Sequence, residues 1–234
     1  MTKVAVIVAA GGSGSRMGGP VPKQFLPLAG RPVLMRTLER LHEALPEARL
    51  VVSLPASERG RWKALCEEYG FGLEHITVDG GTERFFSVLA ALDACGGCDL
   101  VAVHDGVRPL APAAMVRRLV EEAEIHGSAA PVVIPADSFR IVEGDGALSK
   151  PVARSLLRAV QTPQVFRTAL LREAYRMAEK AGGAASSGKA AFTDDSSVIE
   201  YAGHTVHLSA GDERNIKITR QIDLKIAEAL LKYE

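Results

Sequence analysis

The chain has 234 residues, 47% of them hydrophobic and 24% charged. This is the make-up of a folded globular protein rather than a disordered one, at a length one α/β domain can fill. Lys plus Arg and Asp plus Glu both total 28, giving a formal net charge of zero, so nothing in bulk draws the chain to nucleic acid or an anionic membrane. Any phosphate it binds must be met by a local cluster of cations, and aromatics at 5% are too sparse for a base-stacking platform.

The first apolar run, Val4-Ala-Val-Ile-Val8, is short, β-branched and continuous, as a strand buried on both faces should be. It lacks the basic flank and cleavage site of a signal peptide, and no apolar run reaches the roughly 20 residues that span a bilayer. Three cysteines suit a reducing compartment. Cytoplasmic localisation, with neither membrane nor nucleic-acid partners, is therefore expected.

Pro32 suits the first turn of a helix whose Val33, Leu34, Thr37, Leu38, Leu41 and Leu45 recur at helical spacing. Leu50-Val-Val-Ser-Leu54 is a second strand, and Ser57 can cap a helix with Trp62, Leu65, Cys66 and Tyr69 on its inner face. Ile76-Thr-Val78 is a third strand, Phe85 to Ala94 a third helix, and Leu100-Val-Ala-Val103 a fourth strand. A helix from Pro112 through His126 and a fifth strand, Ala130-Pro-Val-Val-Ile134, follow. This alternation predicts a Rossmann-like, mostly parallel sheet flanked by helices, with ligands beyond the carboxyl ends of the strands.

The pattern breaks over 135–157, where Phe139-Arg-Ile-Val142 and a run from Leu148 flank the turn signal Glu143-Gly-Asp-Gly146. A hairpin this small cannot bury its own core, so it is expected to project as an arm onto a second subunit. Arg167 to Lys180 reads as a helix, 181–191 as a mobile Gly/Ser-rich loop, and Leu224 to Leu231 as part of a C-terminal helix. One domain over 1–234, with no second catalytic domain, is expected.

Cys95-Gly-Gly-Cys98 has no second pair to complete a zinc site, and it precedes a strand rather than opening a helix as a thioredoxin-type pair does. Ala9-Ala-Gly-Gly-Ser-Gly-Ser-Arg16-Met, followed by Pro22-Lys23-Gln-Phe, is more informative. Small residues after a buried strand let backbone N–H groups approach an anion. Arg16 can fork onto phosphate oxygens and Lys23 supplies a point charge, so both can converge on one triphosphate. No Gly-Lys is followed by Ser or Thr, which excludes a Walker loop. Gly12-x-Gly14 lacks the third glycine of a dinucleotide fingerprint, and no acidic residue ends the second strand.

These residues resemble the nucleotidyltransferase loop of sugar-phosphate cytidylyltransferases, most closely the 2-C-methyl-D-erythritol 4-phosphate cytidylyltransferase family of the non-mevalonate isoprenoid pathway. Five further motifs match in order and cover nearly the whole chain. They are Val78-Asp-Gly-Gly-Thr-Glu-Arg84 with Ser87, His104-Asp-Gly-Val-Arg-Pro109, Thr162-Pro-Gln164, Phe192-Thr-Asp-Asp195 and Asn215-Ile-Lys-Ile-Thr219. The resemblance implies a homodimeric, Mg²⁺-dependent transferase that joins CTP to a polyol phosphate.

It further implies Arg16, Lys23, Lys217 and Arg154 as catalytic residues. Ala10, Gly11, Gly12, Gly14, Gly80, Gly81, Thr82, Ser87 and Asp105, with Arg16 and Lys23, would bind CTP. Asp105, Arg108, Ser138, Arg154, Thr162 and Lys217 would bind the polyol phosphate, and Asp105 would contact Mg²⁺ directly or through water. Ser138 and Arg154 would reach the partner's site in trans. Thr82 stands where the family often carries Asp, and Ser138 where Thr is usual. Simpler readings remain for several of these: Gly80-Gly81 as a tight turn, Asp105 and Arg108 as a pair holding their own turn, Lys217 and Arg154 as solvated charges. His104 reads as a hydrogen-bonded structural residue and Asp194 as a helix cap. Ribitol-5-phosphate cytidylyltransferase shares the loop, usually with one more residue between the Arg and the Lys. A non-catalytic nucleotide-binding module is the alternative of another class.

Overall fold

The computed structural model describes residues 2–12, 21–144, 146, 148–182 and 192–233. Arg16, Gly14 and most of 181–191 lie outside them. Strands β1 (Val4–Ala9), β4 (Arg49–Leu54), β5 (Ile76–Asp79), β6 (Leu100–Asp105) and β7 (Ser128–Val133) alternate with helices α1 (Val33–Ala44), α2 (Arg59–Glu68), α3 (Arg84–Leu92) and α4 (Ala113–His126). Short strands β2 (Pro27–Leu28) and β3 (Arg31–Pro32) form a small hairpin between β1 and α1. The second half of the chain carries β8 (Arg140–Glu143), β9 (Leu148–Pro151), β10 (Ala159–Val160), β11 (Gln164–Arg167), α5 (Thr168–Lys180), α6 (Asp195–Tyr201), β12 (Leu208–Ala210) and α7 (Gln221–Leu231).

The main sheet runs β10-β7-β11-β6-β1-β4-β5, with β12 pairing with β7. Strands β6, β1, β4 and β5 are mutually parallel. The expected mostly parallel sheet needs one amendment: β11 is wedged antiparallel between β6 and β7, and β10 is antiparallel to β7. Only four residues long, β11 leads straight into α5 with no turn signal between, so its residues merge with the helical pattern behind them. Gly127 ends α4 in the left-handed region (φ +86°), where a side chain would be strained.

Period-two alternation sorts the strand residues into two cores. Val6 and Val8 of β1, with Leu100 and Ala102 of β6, pack under α1, α2 and α4 against Leu34, Leu38, Trp62 and Leu119. Ala5 and Ile7, with Val101 and Val103, face α3, α5 and α6 through Val88, Leu92, Leu171, Tyr175 and Val198. Burial on both sides explains why these strands read as unbroken apolar runs. One helix-start expectation fails: Ser57 lies inside a 3-10 turn, Ala56–Glu58, and α2 begins after it with no side-chain cap.

The register aligns the carboxyl ends of the parallel strands, pairing Ala9 with both Asp105 and Ser53, and Leu54 with Asp79. Everything that follows β1, β4, β5 and β6 therefore gathers along one edge. The 135–157 segment forms the expected hairpin, β8 against β9, with Phe139, Ile141, Val142, Leu148 and Leu156 exposed. Among the described residues no helix is long and apolar enough to cross a membrane.

Candidate active site

A cavity of about 370 Å³ opens at the carboxyl edge of the sheet. Its lining includes Ala10, Gly11, Gly12, Lys23, Gly81, Thr82, Ser87, Asp105 and Lys217, nine of the residues singled out from the sequence. Ala10, Gly11 and Gly12 follow β1, Gly81 and Thr82 follow β5, Asp105 ends β6, Ser87 sits on α3, and Lys217 comes from the segment between β12 and α7. The Ala10 N–H donates to the Ser53 carbonyl (2.9 Å), and the Gln24 amide donates to the Ala10 carbonyl (2.8 Å). Buried Gln24 thus ties the glycine-rich turn to the short helical turn that presents Lys23.

The β5–α3 connection supplies the opposite wall. A Cβ on Gly81 would lie 2.2 Å from the Cβ of Phe86, so only glycine allows this turn to fold back on α3. Gly80 sits just behind the lining, where a Cβ would meet the hydroxyl oxygens of Ser53 and Ser87 at 3.0 Å each. The Ser87 hydroxyl donates to the Glu83 carbonyl (3.0 Å), and Ser53 donates to the Ser87 carbonyl (3.1 Å). With α3 starting at Arg84, its N-terminal N–H groups and partial positive charge lie at the cavity.

Asp105 is the electrostatic centre. Its carboxylate meets Lys217 Nζ at 3.0 Å, Arg108 Nε at 3.2 Å and Arg84 Nε at 3.6 Å. Burial alone would raise its pKa; the opposing charges of Arg84, Lys217 and Arg108 hold it well below the usual carboxylate range. Lys217 reaches the site because the Ile218 N–H donates to the Val107 carbonyl (2.9 Å) and Arg108 donates to the Asn215 carbonyl (2.7 Å). The Asn-Ile-Lys segment is thus bound edge-on to the turn after β6.

Beneath Asp105, His104 has no exposed surface. Burial pushes its pKa down to about 4, leaving a neutral ring. Nε2 faces the Arg108 carbonyl at 3.0 Å and so carries the proton; Nδ1 accepts from the Thr162 hydroxyl at 3.0 Å. The Thr162 oxygen in turn accepts the Asp105 N–H at 3.1 Å. His104 is a structural residue, as its sequence context suggests. Thr162 and Arg108 stand behind the lining, holding the Asp105 turn, and neither lines the cavity.

Ser138 and Arg154 are exposed on the arm, outside the cavity lining. Arg154 donates to the Ala136 carbonyl at 2.8 Å. Five lining residues escaped the sequence reading of candidates: Ala9, Gln24, Glu83, Arg84 and Val107. Gln24 follows Lys23 directly, and Arg84 closes the quoted Gly-Gly-Thr-Glu-Arg motif, so adjacency was the available signal. Asp194 does cap α6, accepting from the Ser197 N–H at 3.0 Å. Cys95 is buried, its thiol pushed up to about 12 by burial, which makes it inert at neutral pH.

The charged residues among the described lining are three cations, Lys23, Arg84 and Lys217, and two carboxylates, Glu83 and Asp105. Such an arrangement can hold a polyphosphate against glycine N–H groups and stabilise charge gained during displacement at phosphorus.

Comparison with known proteins points the same way. The family model described as IspD, 2-C-methyl-D-erythritol 4-phosphate cytidylyltransferase, matches residues 4–233. The chain is 44% identical over 229 residues to the 2-C-methyl-D-erythritol 4-phosphate cytidylyltransferase of Bacteroides thetaiotaomicron, covering 98% of this chain and all of that protein. It is 42% identical over 231 residues to the Bacteroides fragilis enzyme of the same name, covering 99% and 100%. The crystal structure of the Thermus thermophilus enzyme of that name superposes with a TM-score of 0.80 at 34% identity, covering 99% of this chain and all of that one.

Proposed function

Since this chain belongs to the 2-C-methyl-D-erythritol 4-phosphate cytidylyltransferase family, we propose that the cavity at the carboxyl edge of its sheet is where the family's reaction takes place. The enzyme transfers a cytidylyl group from CTP to 2-C-methyl-D-erythritol 4-phosphate, releasing pyrophosphate and forming 4-CDP-2-C-methyl-D-erythritol, a step of non-mevalonate isoprenoid biosynthesis. The observation that carries the site assignment is that Lys23 and Lys217, far apart in sequence, line one glycine-walled cavity around Asp105.

The attacking phosphate is ionised at neutral pH and needs no strong general base, so catalysis is positioning and charge stabilisation. The N–H groups of Gly11 and Gly12 cradle the triphosphate, with Lys23 on its β- and γ-phosphates; in this reading Gly14 and Arg16, outside the described residues, serve the same phosphates. Lys217 stands on the α-phosphate side. The Gly80–Gly81 turn, Thr82 and Ser87 read the cytosine, in a pocket kept small enough to exclude purines. Asp105 accepts from a substrate hydroxyl.

Mg²⁺ belongs to this reading as a companion of the nucleotide. The Asp105 oxygens already face three cations, and no cluster of three or more His, Cys, Asp or Glu occurs among the described residues. The residues present fit the ion as a companion of the CTP phosphates, where it would offset their charge, with Asp105 the carboxylate that would hold it through one of its waters.

Residues 1–234 work as one domain whose arm, about 135–157, joins two copies. The arm's exposed Phe139, Ile141, Val142 and Leu148 supply the apolar surface for a second copy to cover. Ser138 and Arg154, outside the cavity lining of their own chain, would grip the methylerythritol phosphate in the partner's. The test is pyrophosphate release from CTP and Mg²⁺ with either methylerythritol phosphate or ribitol 5-phosphate. Release with the first supports the assignment; release with the second alone, or with neither, overturns it.

A further inference from the structure

Two motifs are left over from this chemistry, Thr162-Pro-Gln164 and Phe192-Thr-Asp-Asp195, and the fold brings them together at the start of α6. Gln164 donates to Asp194 Oδ2 (2.9 Å) and accepts from the N–H and hydroxyl of Ser196 (2.9 and 3.0 Å). The next carboxylate, Asp195, has no exposed surface. It receives Arg84 through both terminal nitrogens (3.0 Å to Oδ1, 2.6 Å to Oδ2) and the Tyr175 hydroxyl (2.6 Å to Oδ1). That grip fixes the plane of the guanidinium. The remaining nitrogen, Nε, faces Asp105 Oδ1 at 3.6 Å, while Asp105 Oδ2 holds Lys217.

A buried ion pair is weak evidence for stability, because apolar residues of similar volume often serve as well. This one ends on the cavity wall. The bidentate grip of Asp195 also keeps Arg84 from turning its fork onto Asp105, which leaves Oδ2 to Lys217 and Arg108. Resting on the assignment of Asp105 and Lys217 to the reaction, we propose that Asp195 is a positioning residue for cytidylyl transfer: through Arg84 it sets where the Asp105 carboxylate stands, and so aims the Lys217 ammonium at the transferred phosphorus.

Steady-state kinetics of full-length Asp195→Asn and Tyr175→Phe, measured well below their melting temperatures, test this. Asp195→Asn keeps an oxygen for Tyr175 and Arg84 but loses the charge. Its kcat should fall ~10- to 100-fold, as expected for a sub-ångström to ångström misplacement of a catalytic group. KM for CTP should move by less than about threefold, the signature of an interaction lost mainly in the transition state. Tyr175→Phe removes one hydroxyl from a residue otherwise stacked on Phe85, and its kcat should fall in the same sense by a smaller factor. Lowered melting temperatures with kcat unchanged in both variants would assign the network to stability alone and overturn the proposal; if Asp195→Asn does not fold, Tyr175→Phe decides alone. Asp105→Asn and Lys217→Ala serve as references. Wild-type kcat in those two would show instead that the site assignment is at fault.

Discussion

Lys217 Nζ stands 3.0 Å from Oδ2 of Asp105, with the lysine side chain still partly open to the cavity. The same carboxylate is held by Arg84 and Arg108. Lys217 can therefore leave it for a phosphate without stranding a buried anion.

Lys217→Ala should accordingly lower kcat by ~10²- to 10³-fold, the usual effect of removing one transition-state charge contact. Lys23→Ala should do the same. Both variants should show circular-dichroism melts close to the parent's, since Asp105 keeps its two arginines in the first case. Near-normal turnover in either would remove that lysine from the mechanism.

The arm carries a separate prediction. Arg16→Ala and Arg154→Ala should each be inactive alone, and mixing them under subunit exchange should recover about a quarter of wild-type activity, because half the dimers are mixed and each holds one intact composite site. Labelled subunits would verify exchange. No recovery despite exchange would place Arg154 outside the partner's site.

His104 gives a pH dependence of stability. Its folded pKa is about 4 against an ordinary 6.5, so between those values the unfolded chain binds the extra proton. Stability therefore rises with pH across this window and is lost as pH falls from 6.5 towards 4, by roughly 3 kcal/mol. Urea midpoints against pH should show that slope in the wild type and a flatter one in His104→Gln, which would be less stable at pH 7 but carries no titrating ring. Parallel slopes would show that His104 is not the group responsible.

Gly81→Ala should push the β5–α3 turn off Phe86, because the added Cβ has nowhere to go. A loss of about 1–3 kcal/mol is expected for such overpacking, together with a raised KM for CTP, since the displaced turn lines the cavity. An unchanged KM would detach this turn from nucleotide binding.

By itself the sequence determined the α/β alternation, the hairpin and most of the cavity wall. Unbroken apolar runs such as 4–8 and 100–103 make sense only as strands buried on both faces, and the residues that follow strand ends are local enough to be read in order. Tertiary structure decided the rest. β11 escaped because four residues running into a helix carry no period of their own. The grouping of Arg84, Arg108, Lys217 and Asp195 around Asp105 depends on pairings between distant segments, and a linear pattern does not encode which buried charges meet. Burial made the difference: a carboxylate removed from water must find its cations wherever the fold brings them.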